Sequence, residues 1–292
     1  MSYLQRVRRA VDFIESNLDQ ELDLADVAAH AGISRWHFQR MFKALTKETL
    51  KSYIRQRRLA LALDKLLTTQ ERILDISISA GYESQEAFTR AFKQAFDHTP
   101  HEFRRIGSKN LFLKKVEIDA GYLRHINQNL SLEPRLIEQA PMRCVGMQTE
   151  FFSSDSEKNN IASQIPPLWA AFLPHLEAIP NRVPGVCYGI IEQSAEGSEQ
   201  LKYTAAMQVT EVSAELPEGM LAVQIPGATY AHFDHRGEVT NLDHSVNYIY
   251  SNWLCSSDLR HTYGPDLEVY GAEYHPTSED SVIQYAIPVV RG

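Results

Sequence analysis

The sequence predicts a multidomain chain: an all-α domain with two helix-turn-helix units, then an α+β domain built from a duplicated strand-helix-strand-strand. Through residues 1–105 apolar residues recur at three- and four-residue spacing, without β-branched alternating runs. A short helix is written twice there, as SRWHFQRMFK at 34–43 and ESQEAFTRAFK at 83–93. After about Leu132 the period changes to short alternating runs such as VCYGII, YTAAMQV, TYAHFDH, LEVYG and IQYAIPVV. The expected boundaries are 1–106 for the helical domain, 107–131 for a linker without clean period, and 132–292 for the α+β domain.

Bulk properties narrow the class. A chain of 292 residues suits two ordinary domains, and 43% hydrophobic with 23% charged residues suits a globular protein rather than a disordered one. There is no apolar run long enough to span a bilayer and no signal-peptide core, which points to the cytoplasm. Cys144, Cys187 and Cys255 lie too far apart for a CxxC metal pair and too sparse for a disulfide framework, so they read as reduced thiols. Charge is unevenly spread: residues 1–115 carry 20 Lys and Arg against 14 Asp and Glu, whereas the rest carries 9 against 23. A basic first part joined to an acidic second part suits a polyanion binder fused to something else.

Each helix has a sequence reason. Val7, Val11, Ile14 and Leu18 give the first its apolar stripe. Asp23 is placed to cap Leu24–Ala31, which Gly32 ends; Ser34 opens the next helix, to about Leu45. A longer helix from about Thr49 to Leu67 is the strut. Another runs from Ile73 to Ala80 and stops at Gly81; Ser84 opens one to about Phe96, and Pro100 starts a short last helix.

The repeat extends backwards. ADVAAHAGI (25–33) aligns with LDISISAGY (74–82), so each copy is a helix, a glycine turn and a second helix. Phe38, Met41, Phe42 and Leu45 form one core stripe; Phe88, Ala91, Phe92 and Ala95 form the other. Trp36, Gln39, Arg40 and Lys43 lie on another face of the first copy. Gln85, Glu86, Thr89, Arg90 and Lys93 lie off the stripe of the second. A polar face of this kind is commonly just solvated. In two matched helix-turn-helix units it suits double-stranded DNA, with Arg and Gln for guanine and adenine edges in the major groove and Lys for phosphate. Glu86 suits either a cytosine amino group or the positive end of its own helix.

These residues resemble the DNA-binding domain of the AraC/XylS family of bacterial transcription regulators. LADVAAHAGISRWHFQRMFK, YIRQRRLALALDKLL and GYESQEAFTRAFKQAFDHTPHEFRR carry the resemblance, over about residues 3–106. It implies two recognition helices entering successive major-groove segments from one chain. Base-contacting positions fall on Trp36, Gln39 and Arg40, then on Gln85, Glu86, Thr89 and Arg90, and RNA polymerase is a further partner. Glu86 departs from the glutamine of the multidrug-response members.

In the second domain, PMRCVGMQTEF, a helix around Pro167–Leu176, GVCYGIIEQ and LKYTAAMQV form one half. GATYAHFDHRG, a helix around Leu242–Leu254, DLEVYGAEY and SVIQYAIPV form the other, with CYG (187–189) aligned to VYG (269–271). Glu268 sits between apolar Leu267 and Val269, at a position aligned with Val186, so the repeated scaffold does not demand a carboxylate. Glu268 is either an exposed strand-edge charge or a carboxylate among rings, which suits a lipophilic cation. Tyr270, Trp169, Tyr188, Tyr230 and Phe233 are the candidate aromatic partners; aromatic side chains also fill cores.

YAHFDHRGEV, DLEVYG and IQYAIPVV resemble the GyrI-like effector-binding domains, over about residues 132–292. The resemblance implies a small aromatic or cationic effector meeting Glu268, hence a transcription regulator for a multidrug-type response rather than an enzyme. Some GyrI-like domains hydrolyse strained small molecules, so a hydrolase is the alternative. No Walker loop, GxGxxG or HExxH is present, and neither a cofactor nor a metal is expected.

Overall fold

The computed structural model describes residues 3–106, 129–195, 198–276 and 278–291. They divide into two compact units. One holds Tyr3–Phe38 and the helices from Thr46 to Ile106; the other holds Gln39–Leu45 with the described residues from 129 onward.

The first unit is helical: α1 Tyr3–Ser16, α2 Leu24–Ala31, α3 Arg35–Thr46 (with Gln39–Leu45 counted in the second unit), α4 Leu50–Thr68, α5 Ile73–Ser79, α6 Gln85–Phe96 and α7 Pro100–Ile106. Capping explains where they begin. Asp23 accepts from the Ala25 N–H at 2.8 Å, and the Ser84 hydroxyl from the Ala87 N–H at 3.1 Å. Ser34 instead places its hydroxyl 2.7 Å from His37 Nδ1. The two tight turns need left-handed backbone, and glycine supplies it at Gly32 (φ 62°) and Gly81 (φ 78°). Around the second turn, Leu59, Leu66, Ile76, Phe88, Phe92, Phe96 and Phe103 make one buried cluster. The α4 strut reaches back to α1, where Arg57 and Tyr53 both donate to Glu15. The Arg57 hydrogen bonds hold the Glu15 carboxyl below its ordinary value, against a smaller upward push from burial.

In the second unit β1 (Arg135–Gln139), β2 (Met142–Phe151), β3 (Arg182–Gln193), β4 (Leu201–Val209), β5 (Leu221–Ile225), β6 (Ala228–Arg236), β7 (Leu259–His261), β8 (Asp266–Tyr270) and β9 (Val282–Arg291) form one antiparallel sheet. Its order is β1-β6-β9-β8-β3-β4-β2-β5, with β7 also on β9. The duplication is visible in that order. β6-β9-β8 mirrors β2-β4-β3, and the halves meet where β8 pairs with β3. Cys187 pairs with Tyr270 and Tyr188 with Val269. Exchanging 187 with 269 and 188 with 270, as the aligned triplets require, maps one pair onto the other. The inter-repeat axis therefore passes beside Gly189 and Glu268.

Local differences from the sequence reading have physical causes. The first helix of this unit runs Ile161–Phe172 with Pro166 and Pro167 inside it, then continues as a 3-10 turn over Leu173–Ala178. Pro166 and Pro167 are the sixth and seventh of its twelve residues, past the first turn, so each removes one helical N–H donor. The second is interrupted: an α-helix over Leu242–Tyr248 widens to a π turn over Ile249–Trp253. Of the expected linker, 107–128 lies outside the described residues. Leu130 bridges His235, and the Ser131 N–H donates to the Asp234 carbonyl at 3.0 Å, so both belong to the sheet.

Candidate functional site

Strand alternation places Asp266, Glu268 and Tyr270 on one face of β8. Pairing carries that face to Gly189 on β3, to Tyr203 on β4 and to Tyr285 on β9. Two hydrogen bonds to Glu268 end on Oε2: the Tyr203 hydroxyl donates at 2.5 Å and the Tyr270 hydroxyl at 2.7 Å. The Trp169 indole, on the Ile161–Phe172 helix, donates to the Tyr203 oxygen at 3.0 Å. Trp169 meets the Tyr270 ring edge-on at 5.0 Å between centroids, and Tyr270 meets Tyr274 at 4.7 Å. Tyr203 is fully buried, while Glu268, Trp169, Tyr270 and Tyr274 are half-buried.

Burial pushes the Glu268 carboxyl up, outweighing the lowering effect of its two phenol bonds. Burial, then the Glu268 charge beside them, push the Tyr203 and Tyr270 phenols well up, so both stay protonated donors. Among the described residues no ion pair reaches Glu268. The cluster is a carboxyl group held by phenol donors and flanked by half-buried rings, a combination whose chemistry suits a cation.

The expected aromatic set divides. Glu268, Tyr270 and Trp169 come together. Tyr188 and Tyr230 do not: both lie with Met142, Cys144, Ile190, Ala206 and Leu267 in an apolar cluster on the other face. Tyr188 neighbours Gly189 along β3, and one residue along a strand reverses the face. Phe233 is buried core, edge-on to Trp253 at 5.0 Å. The partner the sequence reading missed is Tyr203; alternation in YTAAMQV gives its strand, but only the β3–β4–β8 register puts it against Glu268.

Two residues along β8, buried Asp266 makes a second cluster. Its Oδ2 accepts from Tyr250 at 2.6 Å, from Tyr285 at 2.7 Å and from Arg40 Nη1 at 3.0 Å. Its Oδ1 lies 2.8 Å from His261 Nε2, and His261 Nδ1 accepts from the Tyr263 N–H, so the ring proton sits on Nε2 and is donated to Asp266. Burial alone would raise this carboxyl; His261, Arg40 and Tyr250 together hold it below its ordinary value.

The helical period predicts an exposed face for Arg40, whereas the structure buries it. Arg40 is 6% exposed, with its guanidinium 4.9 Å from the Tyr250 ring centroid. Lys43, half-buried, donates to the Ser154 carbonyl. Trp36 is also buried, at 4%, rather than displayed, while Gln39 is half-buried. The period of α3 defines its faces but not what covers them. On α6, in contrast, Gln85, Glu86, Arg90 and Lys93 are exposed and Thr89 is half-buried. Glu86 accepts from its own backbone N–H and from Ser84, which hold its carboxyl below the ordinary value and give it a role at the helix N-terminus.

Comparison with known proteins agrees with this architecture. Residues 27–106 match a helix-turn-helix domain family, and residues 135–289 match the family described as integron-associated effector binding protein. The chain is 29% identical over 269 residues to the right origin-binding protein of Escherichia coli, covering 90% of this chain and 89% of that one. It is 29% identical over 296 residues to the transcriptional regulator Rob of Salmonella typhimurium, covering 98% of each. Over 104 residues it is 44% identical to the regulatory protein SoxS of Salmonella typhimurium, 36% of this chain and 97% of that one. No helix among the described residues is long and apolar enough to cross a membrane. The chain belongs to the integron-associated, GyrI-like effector-binding family through residues 135–289, and carries an AraC-type helix-turn-helix domain before it.

Proposed function

We propose that this protein is a sequence-specific DNA-binding transcription regulator whose second unit binds a small aromatic or lipophilic cation at Glu268. AraC-type relatives and the exposed polar face of α6 support DNA binding. Gln85, Thr89 and Arg90 read base edges there, Glu86 acts at the helix end, and Lys93 neutralises phosphate. Of the expected α3 contacts, Gln39 and Lys43 keep part of their surface exposed, Lys43 while also holding the Ser154 carbonyl. Trp36 packs, and Arg40 does not reach a base while its guanidinium holds Asp266. RNA polymerase is the partner such a regulator addresses.

The observation that carries the effector reading is the half-buried Glu268 carboxylate, held by phenols and faced by rings. Titration of tetraphenylphosphonium against wild type and Glu268→Gln tests it, and equal affinities remove the charge role. Cation binding favours the ionised carboxylate. With the carboxyl raised above its ordinary 4.5, affinity therefore increases as pH rises through the raised value and then levels. The Gln variant has no such rise. The same carboxyl beside Tyr203 also suits a hydrolase acting on a strained small molecule; product released from such a substrate would favour that second reading.

A further inference from the structure

Gly189 lies directly across from Glu268 in the β3–β8 pairing, on the same face of the sheet, and it is buried. A Cβ at this position would lie 2.7 Å from Glu268 Oε2 and 2.7 Å from Tyr203 Cζ, and would overlap the Tyr203 hydroxyl itself. The Gly189 backbone is not in the left-handed region, so conformation does not demand glycine here. Space does. The gap left by the absent side chain is where the Tyr203 hydroxyl meets the carboxylate.

That meeting shapes what the carboxylate offers. Tyr203 and Tyr270 both end on Oε2, and Trp169 fixes Tyr203 from behind. One oxygen is thus occupied by the protein's own donors, and the two-oxygen fork that a guanidinium uses is closed. An ammonium brings three N–H donors and a guanidinium five. Against Oε1 and the faces of Trp169, Tyr270 and Tyr274, most of these donors lose water without gaining acceptors. A quaternary ammonium or phosphonium brings charge and no N–H.

Resting on the cation reading of Glu268, we infer that Gly189 is a specificity-determining residue. By admitting Tyr203 to the carboxylate it selects cations without N–H donors over protonated amines and guanidines.

The test uses the full chain and two ligands with the same ring and charge, benzyltrimethylammonium and benzylamine, titrated by calorimetry. Wild type is expected to prefer the quaternary ion by roughly tenfold or more, the scale of one stranded buried donor. Gly189→Ala separates the Tyr203 hydroxyl from the carboxylate, and the preference falls below about threefold. Should Gly189→Ala not fold, Tyr203→Phe removes the hydroxyl that Gly189 admits, without a steric change, and is expected to lower the ratio in the same direction. Equal wild-type affinities overturn the inference and leave the cation site standing. A preference unchanged in both variants also overturns it, because its source then lies elsewhere. Binding of neither ligand, nor of tetraphenylphosphonium, removes both this inference and the reading on which it rests.

Discussion

α3 and α6 share a framework and differ in what surrounds it. Phe38 and Phe42 repeat as Phe88 and Phe92, all fully buried. Arg40 repeats as Arg90, yet Arg90 is exposed whereas Arg40 is buried against Asp266, Tyr250 and Tyr285. Helical periodicity makes the two arginines equivalent. Their surroundings turn one into a surface reader and the other into half of a buried ion pair. A repeated residue thus keeps its geometry without keeping its role.

The shared part of the comparison breaks first under core truncation. Phe42→Ala and Phe92→Ala should each lower stability by about 3–5 kcal/mol, because both leave a ring-sized cavity. Urea unfolding followed by circular dichroism checks this, and a cost under 1 kcal/mol at either site would mean that the stripes are not equivalent.

The differing part breaks with the arginines. Arg40→Ala strips two buried carboxylates, Asp266 and Asp155, of their shared cation and should cost about 3–5 kcal/mol, although Tyr250, Tyr285 and His261 still bond Asp266. Arg90→Ala should stay within about 0.5 kcal/mol of wild type in the same unfolding assay. Similar costs for the two would erase the contrast drawn here.

On DNA the order reverses. Arg90→Ala should reduce discrimination at one base pair by about 1–3 kcal/mol in competition binding. Undiminished discrimination would leave α6 without its proposed reader. The smallest effect is expected from Lys93→Ala, which should weaken all sequences alike and reduce the slope of log affinity against log salt by about 1. A change confined to one sequence would assign Lys93 to base reading instead.

A second comparison lies within the sheet. The two halves mirror each other about the β3–β8 junction, but Glu268 aligns with Val186 and Gly189 with Gly271. A Cβ at Gly271 would meet nothing nearby, while one at Gly189 would meet Tyr203 and Glu268. The duplication supplies the strand junction, and departures from it supply the chemistry.

By itself the sequence determined what depends on neighbours in the chain. The two helix-turn-helix units follow from period, Asp23 and Ser84 caps, and the glycine turns at Gly32 and Gly81. The order of strands and helices follows from a change of period, and the face shared by Glu268 and Tyr270 follows from alternation. Tertiary structure decided what depends on residues far away in the chain. Which tyrosines join Glu268 was set by strand register: Tyr203 is 65 residues away and adjacent, whereas Tyr188, one residue from Gly189, faces the other side. Whether Arg40 meets water or Asp266, 226 residues on, was set by packing. Local rules fix a side chain's direction; only the assembled surroundings fix what it finds there.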